Sequence, residues 1–360
     1  MNPAASLILV PLTTIYSAVT RARLAAYRRG LFSVSKLAAP VVSIGNLTTG
    51  GTGKTPLVEW VCRTIDAVAH EGWREGKRLC VLTRGYGRAE PKTQVVVSNG
   101  IELRASELQA GDEPFLLARS LLGVAAVISN PDRVAAGEWA IEKLQSEVFV
   151  LDDAFQHLRL FRDLDIVTID ATNPWDDGGG LLPRGRLREP IGGLSRADCV
   201  VITRTEHVEQ IGSIKDTIRR IAGNVPVLSS RMLTSGFRRV DSEPIDTATL
   251  LSQPIGAFCG VGNPDSFFNH LRREGYQLKF TRIFPDHHRY KQSDLDALVG
   301  EARAKGAKSL LTTAKDATKL ESFNLGIPCS VLEIGISIDE EDRLVDLIRK
   351  AIFKSAGRSD

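Results

Sequence analysis

The chain contains 360 residues, of which 43% are hydrophobic and 25% are charged, and its formal net charge is +3. This length is enough for two domains with cores of their own, and the composition is ordinary for a soluble globular protein. The five cysteines are scattered and form no C-x-x-C pair. The spacing therefore argues against a disulfide framework and a structural zinc site, and it favours a reducing, cytosolic compartment.

The first predicted element is a helix over residues 4–29, apolar in its first part and basic in its second. A cleaved secretory signal would place its basic residues first, and the apolar part, interrupted by Pro11, is short for a membrane span. The helix either packs on its own domain or lies in a membrane interface. We favour the interface, because no acidic residue precedes Glu59 to pair the basic ones, Arg21, Arg23, Arg28, Arg29 and Lys36.

A glycine-rich turn follows an apolar run over residues 40–44 and precedes a helical pattern that begins at Leu57. This order of strand, loop and helix is typical of a P-loop. Small residues let backbone N–H groups approach phosphate oxygens, and the helix N-terminus adds its positive dipole end. The predicted nucleotide-binding residues are Thr48, Thr49, Gly50, Gly51, Thr52, Gly53, Lys54 and Thr55.

Within this loop, Lys54 is expected to reach the β- and γ-phosphates of ATP, and the Thr55 hydroxyl is expected to bind Mg²⁺. The match to G-x-x-x-x-G-K-[ST] is imperfect. Thr48 stands where the strict pattern has glycine, and Thr49 stands where a glycine-doubled variant usually carries a second lysine.

Beyond the P-loop, short apolar strands alternate with helical patterns, which predicts a mostly parallel sheet covered by helices. This alternation of strands and helices is interrupted over residues 231–253, where a short hairpin or linker is expected. A second alternating unit follows. The predicted organisation is an N-terminal membrane-associated helix over 1–36, a P-loop kinase domain over 37–235, a linker or β-ribbon over 236–254 and a smaller C-terminal α/β domain over 255–360.

Two carboxylates, Asp152 and Asp153, end an apolar strand downstream of the P-loop. At that position in P-loop proteins a carboxylate binds Mg²⁺ or an attacking water, although a lone aspartate there often only caps a helix. Gln156 and His157 follow within a turn and are expected to face the same pocket, and His157 is a candidate for binding the substrate there.

Two basic loops are further candidates, residues 84–88 with Arg84 and Arg88, and residues 184–190 with Arg188. Both could bind phosphate groups of a nucleotide or of an anionic substrate, although exposed basic loops often bind nothing. Asp112 precedes a predicted helix and would by default be its N-cap. His287, between Asp286 and His288, fits no metal-binding spacing and is as compatible with a surface histidine as with a functional one.

Taken together, these stretches resemble the tetraacyldisaccharide 4′-kinase family, the lipid A 4′-kinases of Gram-negative bacteria. The resemblance covers nearly the whole chain, and the order of the motifs is far more specific than any one of them. The motifs lie at residues 41–47, the P-loop, 83–88, 111–114, 151–157, 187–190, 260–264, 286–288 and 312–316. Two positions depart from the pattern, Ala154 where glycine is more frequent and Ala314 where glutamate is, and neither carries a chemical group.

The resemblance implies an ATP-dependent kinase that phosphorylates the 4′-hydroxyl of a tetraacyl glucosamine disaccharide 1-phosphate and forms lipid IVA. It implies two α/β/α domains joined by a two-stranded ribbon, and a peripheral position at the cytoplasmic face of the inner membrane. It points to Gln156 and Glu189 on the metal side, where the residues alone suggest Asp152 and Asp153. It also implies that Asp112 is the catalytic carboxylate, supported by His287.

The expected partners are therefore ATP, Mg²⁺, the lipid substrate and the membrane surface, with no nucleic acid and no obligate protein partner. The alternative from another class is a P-loop nucleotide switch or metallochaperone ATPase at the membrane. GTP-specific switches usually carry N-K-x-D, which is absent here, and Thr49 replaces the second lysine expected of a membrane-partitioning ATPase.

Overall fold

The computed structural model describes residues 3–70, 79–86, 88, 90–176, 180–240, 244–320 and 323–354. The chain divides into two compact units. The first is Met1–Met232 together with Ile336–Asp360, and the second is Leu233–Gly335. Two predicted stretches lie partly outside the described residues, since the 84–88 motif contains residue 87 and the predicted linker contains residues 241–243.

The described residues form eleven α-helices, and the first begins and ends within one residue of its predicted bounds. They are α1 Pro3–Arg28, α2 Lys54–His70, α3 Glu107–Ala110, α4 Asp112–Ser120, α5 Arg133–Leu144, α6 Gly212–Ala222, α7 Thr247–Leu251, α8 Pro264–Arg273, α9 Gln292–Lys305, α10 Ala314–Ala317 and α11 Glu341–Lys354. Short 3₁₀ helices cover Ile191–Arg196 and Thr205–His207. None of the helices in the described part of the chain is both long enough and apolar enough to cross a bilayer.

The strands are β1 Val41–Asn46, β2 Leu79–Thr83, β3 Val95–Ser98, β4 Ala126–Ser129, β5 Val148–Asp152, β6 Leu164–Asp170, β7 Cys199–Thr203, β8 Val227–Arg239, β9 Pro244–Ile245, β10 Ile255–Cys259, β11 Leu278–Ile283, β12 Ser309–Thr313 and β13 Cys329–Ile338. In the first unit their order is β8-β7-β6-β1-β5-β2-β4-β3. Neighbours pair in parallel except β3 and β4, which are antiparallel. The predicted mostly parallel α/β sheet is therefore confirmed.

The P-loop strand β1 lies inside this sheet, between β5 and β6, and all six of its residues are buried. Helix α2 packs its apolar side, including Leu57 and Val61, against the sheet. Because parallel strands present their carboxyl ends at one edge, the turns after β1 and β5 meet there. This edge positions the P-loop beside Asp152 and Asp153.

The second unit has the strand order β11-β10-β12-β13, with β13 next to β8 and the short β9 antiparallel to β8. Its three neighbouring pairs among β10 to β13 are parallel. The β8–β9 pair is the short hairpin that the break in rhythm predicts. Strand β8 is longer than expected, because the chain stays extended beyond residue 229 to pass from the first unit into the second.

Helix α11 differs from its expected place in a domain over residues 255–360. Its buried side chains Leu344, Ile348 and Ile352 belong to the same apolar cluster as Leu57 of the P-loop helix. The helix is amphipathic and the first-unit core offers its apolar stripe a partner, so residues 336–354 return to that unit.

Candidate active site at the P-loop

The loop between β1 and α2 is held in a defined shape by its own residues and by two neighbouring strands. The Asn46 side-chain amide donates to the Thr48 carbonyl at 2.8 Å. The hydroxyls of Thr52 and Thr168 share a hydrogen bond of 2.8 Å, and the Thr203 hydroxyl donates to the Thr52 carbonyl at 2.9 Å. The loop is therefore anchored to the ends of β6 and β7 before any ligand binds.

Two glycines give this loop its turn. Gly50 has φ +105° and Gly53 has φ +75°, a region that L-residues with side chains rarely adopt. Gly53 immediately precedes Lys54, the first residue of α2, so the first N–H groups of the helix, which have no partner within it, lie at the end of the loop. Such a helix start favours an anion through its unpaired N–H groups and its dipole.

Lys54 and Arg188 both hold the carboxylate of Asp153. The Lys54 Nζ lies 3.3 Å from Asp153 Oδ1, and one Arg188 Nη1 contacts both Asp153 oxygens at 2.8 and 2.7 Å. Burial alone would raise the pKa of Asp153, but the charges of Lys54 and Arg188 lower it to about 2. The structure thus brings the predicted lysine, aspartate and arginine together, with the aspartate ionised at all ordinary pH values.

Its neighbour Asp152 has the opposite electrostatic environment. Burial, followed by the negative charges of Asp153 and Glu113, raises the pKa of Asp152 to about 6. The Thr83 hydroxyl donates to its Oδ2 at 3.0 Å. Asp152 is therefore a carboxylate that lacks a full counter-charge, and a cation beside it would relieve the repulsion.

Gln156 and Glu189, the other two predicted metal-side residues, are in direct contact. The Gln156 amide donates to Glu189 Oε1 and to the Asn46 carbonyl, both at 2.9 Å. Arg196 binds both oxygens of Glu189, at 2.9 and 3.0 Å, and only 1% of Glu189 is exposed. Glu189 is thus held in a bidentate ion pair that fixes its loop next to the strand bearing the P-loop.

Arg186, which the sequence analysis did not select as a site residue, contacts the P-loop directly. Its guanidinium donates to the Thr49 carbonyl at 2.6 Å, and the Thr49 N–H donates to the Arg186 carbonyl at 2.8 Å. A side chain at Gly50 would collide with this guanidinium. The arginines at alternate positions over residues 184–188 could have indicated a contact with the P-loop, although the pattern does not show which arginine makes it.

The predicted N-cap role of Asp112 is wrong in detail, because Gly111 caps α4 and Asp112 is its first residue. Gly111 has φ +89°, and a Cβ there would lie 2.7 Å from the Tyr86 carbonyl, so only glycine suits the position. The 84–88 loop therefore packs against the start of α4. The following residue, Glu113, is close enough to Asp152 to raise its pKa.

The four residues predicted to bind substrate have different environments. Arg88 is 5% exposed and donates to the Ser129 carbonyl at 2.8 Å and to the Pro91 carbonyl at 2.6 Å. Its guanidinium fixes the 84–88 loop, and its role in binding substrate stays a prediction. Arg84 is exposed, and Arg188 is engaged with Asp153.

His157 lies in a basic environment that the sequence did not reveal. Burial, followed by the charges of Arg133 and Arg162, lowers the pKa of His157 to about 4. Its Nε2 is buried, and no hydrogen bond to it is formed by the described residues. Arg133, at the start of α5, is 3% exposed, and burial lowers its pKa to about 10. No sequence motif contains Arg133, so the sequence analysis did not identify it as a charge that acts on His157.

In the second unit, three of the predicted motifs converge. Lys315 Nζ lies 3.1 Å from Asp286 Oδ1 and 3.4 Å from His287 Nε2. The buried Asp316 accepts from the Gly260 N–H at 3.0 Å and from the Tyr290 hydroxyl at 3.0 Å. The Asp316 contacts fix the turn after β12, and Lys315 holds the exposed turn that carries His287.

Comparison with known proteins places this architecture in a family. Residues 5–352 match the family described as LpxK, tetraacyldisaccharide-1-P 4′-kinase. The tetraacyldisaccharide 4′-kinase of Geobacter metallireducens is 42% identical, over 91% of this chain and 94% of that protein. The tetraacyldisaccharide 4′-kinase of Desulfotalea psychrophila is 35% identical, over 88% of this chain and 89% of that protein.

A solved structure agrees with these sequence relatives. LpxK from Aquifex aeolicus, crystallised in complex with ATP, superposes with a TM-score of 0.78 at 31% identity. The superposition covers 97% of this chain and 99% of that one. The similarity therefore extends over both units and is not confined to the P-loop.

Proposed function

Because the chain belongs to the tetraacyldisaccharide-1-P 4′-kinase family, we propose that its P-loop site transfers the γ-phosphate of ATP to the 4′-hydroxyl of a tetraacyl glucosamine disaccharide 1-phosphate. The chain is accordingly an ATP-dependent kinase of lipid A biosynthesis. The observation that carries the assignment is the family match over residues 5–352, which includes the P-loop and every other motif. The switch or metallochaperone alternative is not favoured.

On the nucleotide side, the loop amides and Lys54 bind the phosphates. Lys54 lies 3.3 Å from Asp153 in the present arrangement, and triphosphate oxygens would compete with that carboxylate for its ammonium group. Phosphoryl transfer depends mainly on positioning and on neutralising charge, and both are tasks for a lysine at a helix start. Arg188 remains on Asp153 and compensates its charge when Lys54 turns to the nucleotide.

The residues present also fit Mg²⁺, which prefers oxygen ligands and retains several waters. Asp152, with its pKa raised to about 6 by burial and neighbouring carboxylates, is the best-suited protein ligand. The Thr55 hydroxyl would be a second ligand. Both oxygens of Glu189 are already bound by Arg196, and Gln156 would act beside Glu189. A bound Mg²⁺ neutralises negative charge on the transferring phosphate.

On the acceptor side, Asp112 is the proposed base. A sugar hydroxyl is a weak acid, so a carboxylate accepts its proton late, as the bond to phosphorus forms. Support for this assignment comes from the position of Asp112 at the start of α4, the helix that also brings Glu113 close to Asp152. His287, which Lys315 holds in its turn, stays a predicted catalytic residue.

For the anionic part of the substrate, Arg84 and His157 remain candidates. Arg84 is exposed on the loop that Arg88 fixes, and His157 lies among buried cations. The buried Arg133 adds positive charge to the same region. An accumulation of positive charge favours a phosphate group.

We further propose that the chain works as a peripheral protein at the cytoplasmic face of the inner membrane. Three apolar side chains of α1 are exposed by 52%, 60% and 61%, namely Leu12, Ile15 and Val19. After the helix, Leu31 and Phe32 are exposed by 72% and 50%. An apolar surface flanked by arginines suits an anionic bilayer, where the acyl chains of the substrate reside.

The test is to incubate the full chain with γ-labelled ATP, Mg²⁺ and the tetraacyl disaccharide 1-phosphate in mixed micelles, and to separate lipid from free phosphate. Label is expected in the lipid, and Lys54→Ala should remove it while keeping the folded structure. Release of labelled phosphate without any labelled lipid would contradict the kinase assignment and favour a nucleotide switch.

A further inference from the structure

Helix α1 is hydrogen-bonded to the loop that carries Arg188 and Glu189. The Tyr16 hydroxyl donates to the Arg188 carbonyl at 2.7 Å. One turn earlier, the Thr13 hydroxyl accepts from the Arg184 N–H at 3.3 Å. Towards the end of the helix, Arg28 donates to the Ser195 hydroxyl at 3.4 Å. The helix therefore contacts this loop through Thr13 and Tyr16, and the 3₁₀ helix that follows the loop through Arg28.

On its other side, the same loop is joined to the catalytic centre. The Arg188 N–H donates to the Leu47 carbonyl at 2.7 Å, next to the P-loop. The Arg188 guanidinium binds Asp153 at 2.7 Å, and Asp153 contacts Lys54 at 3.3 Å. Both ends of the Arg188 backbone are thus fixed, its N–H by the P-loop strand and its carbonyl by Tyr16.

Helix α1 presents two different faces. Leu12, Ile15 and Val19 are largely exposed, whereas Tyr16 is half-buried against the loop. A membrane anchor requires only the exposed apolar face. The polar contacts of Tyr16 and Thr13 serve no purpose in anchoring, and they act on the loop that orients Arg188.

We propose that Tyr16 is a positioning residue for phosphoryl transfer, and that α1 supports the active-site loop as well as anchoring the chain to the membrane. Tyr16 acts through Arg188, whose guanidinium sets the Asp153 carboxylate that Lys54 contacts before it binds triphosphate. This inference rests on the proposed kinase function. It adds that the site is complete only while α1 lies on the loop.

The central test is Tyr16→Phe, which keeps the ring and removes only the donated hydrogen bond. At saturating ATP and lipid, kcat should fall about 3- to 10-fold, the range expected from losing one hydrogen bond to a backbone carbonyl. The KM for lipid should change by less than about twofold, because no lipid contact is removed. Sedimentation with phosphatidylethanolamine–phosphatidylglycerol vesicles should be unchanged.

Tyr27→Phe is the matched control. Tyr27 lies on the same helix, and its ring packs edge-on against Phe32 with a centroid separation of 5.2 Å. Its kcat and vesicle binding should equal those of the unmodified chain. A Tyr16→Phe enzyme with unchanged kcat, or one whose loss of kcat follows a loss of vesicle binding, would overturn the positioning role.

Amide hydrogen exchange separates this inference from the proposed function. Tyr16→Phe should speed exchange at residues 184–188 by at least about threefold, and Tyr27→Phe should not. This readout needs no lipid substrate. Faster exchange in a chain that phosphorylates no lipid would show that Tyr16 holds the loop but would refute the kinase function and, with it, the role in phosphoryl transfer. Unchanged exchange with an active wild-type chain would refute the positioning role alone.

Discussion

Replacing Asp152 by asparagine should stabilise the folded chain at neutral pH in EDTA. Burial and the charges of Asp153 and Glu113 raise the pKa of Asp152 from 3.8 to about 6, so its ionised form is disfavoured in the folded state. One pKa unit corresponds to about 1.4 kcal/mol, which puts the cost of ionised Asp152 near 3 kcal/mol at most. Because the residue is only partly buried, water screens part of this cost, and a gain of about 1–3 kcal/mol is expected.

The stability gained by replacing Asp152 should increase with pH. A carboxyl group whose folded pKa is raised imposes no penalty below its unfolded pKa near 4, and the full penalty above its folded pKa near 6. The difference in unfolding free energy between Asp152→Asn and the unmodified chain should therefore be about a third of its maximum at pH 4.5 and reach that maximum by pH 7. Asparagine retains an oxygen that accepts the hydrogen bond from Thr83.

Asp153→Asn is the matched comparison, since the two residues are adjacent and respond oppositely. Lys54 and Arg188 lower the pKa of Asp153 to about 2 against the effect of burial, so its ionised form stabilises the fold above pH 4 and this contribution is lost as pH falls towards 2. Its replacement should lower the unfolding free energy by about 1–2 kcal/mol at pH 7.

Urea denaturation of the three proteins at pH 4.5, 6 and 8, without nucleotide or Mg²⁺, measures these differences. Both variants should lose lipid phosphorylation. The reasoning would be refuted if Asp152→Asn were less stable than the unmodified chain at pH 8, or if its advantage were equal at pH 4.5 and pH 8.

Three further outcomes are expected. Asp112→Ala should lower kcat at least about 100-fold with an unchanged melting temperature, and an active, folded variant would remove its assigned role as the base. Deleting residues 1–30 should reduce sedimentation with anionic vesicles at least about fivefold, and unchanged binding would exclude α1 as the anchor. Ile348→Ala should lower the unfolding free energy by about 2–5 kcal/mol in urea, because the side chain is fully buried, whereas Lys350→Ala on the exposed face should cost less than about 0.5 kcal/mol.

The sequence was most informative about elements whose patterns are local. Four apolar runs predict strands over 79–83, 95–98, 199–203 and 309–313, and these are the bounds of β2, β3, β7 and β12, because each run is short and bounded by turn residues. The P-loop helix begins three residues earlier than predicted, at Lys54, because the Lys-Thr-Pro segment is itself helical. Proline at the third helical position loses only an N–H that has no partner in the first turn.

What the sequence could not predict depends on tertiary contacts. The sequence did not show which unit α11 packs against. Its amphipathic pattern indicates that one face is buried, but it does not indicate which unit buries that face. Arg88 and Arg133 show the same limit for charged residues. Arginine in a loop suggests an exposed phosphate ligand, yet both guanidinium groups are buried, and Arg88 serves to fix its own loop.

Within the site, the pairing of residues was predicted better than their charge states. The motifs brought Asp152 and Asp153 to one strand end, but no pattern shows that Lys54 and Arg188 would both hold the second of them. The pKa values of the two aspartates consequently separate in the fold, although their sequence environments are nearly identical.

The return of α11 to the first unit also fixes an order of events during translation. The β-sheet of that unit, with the P-loop at its edge, emerges from the ribosome without Leu344, Ile348 and Ile352, which complete its apolar cluster. These side chains are made only after the whole of Leu233–Gly335. The second unit is contiguous and can fold before α11 is made, so the apolar cluster of the first unit is completed last. A chain released early would leave the apolar surface that α11 covers exposed to chaperones and proteases.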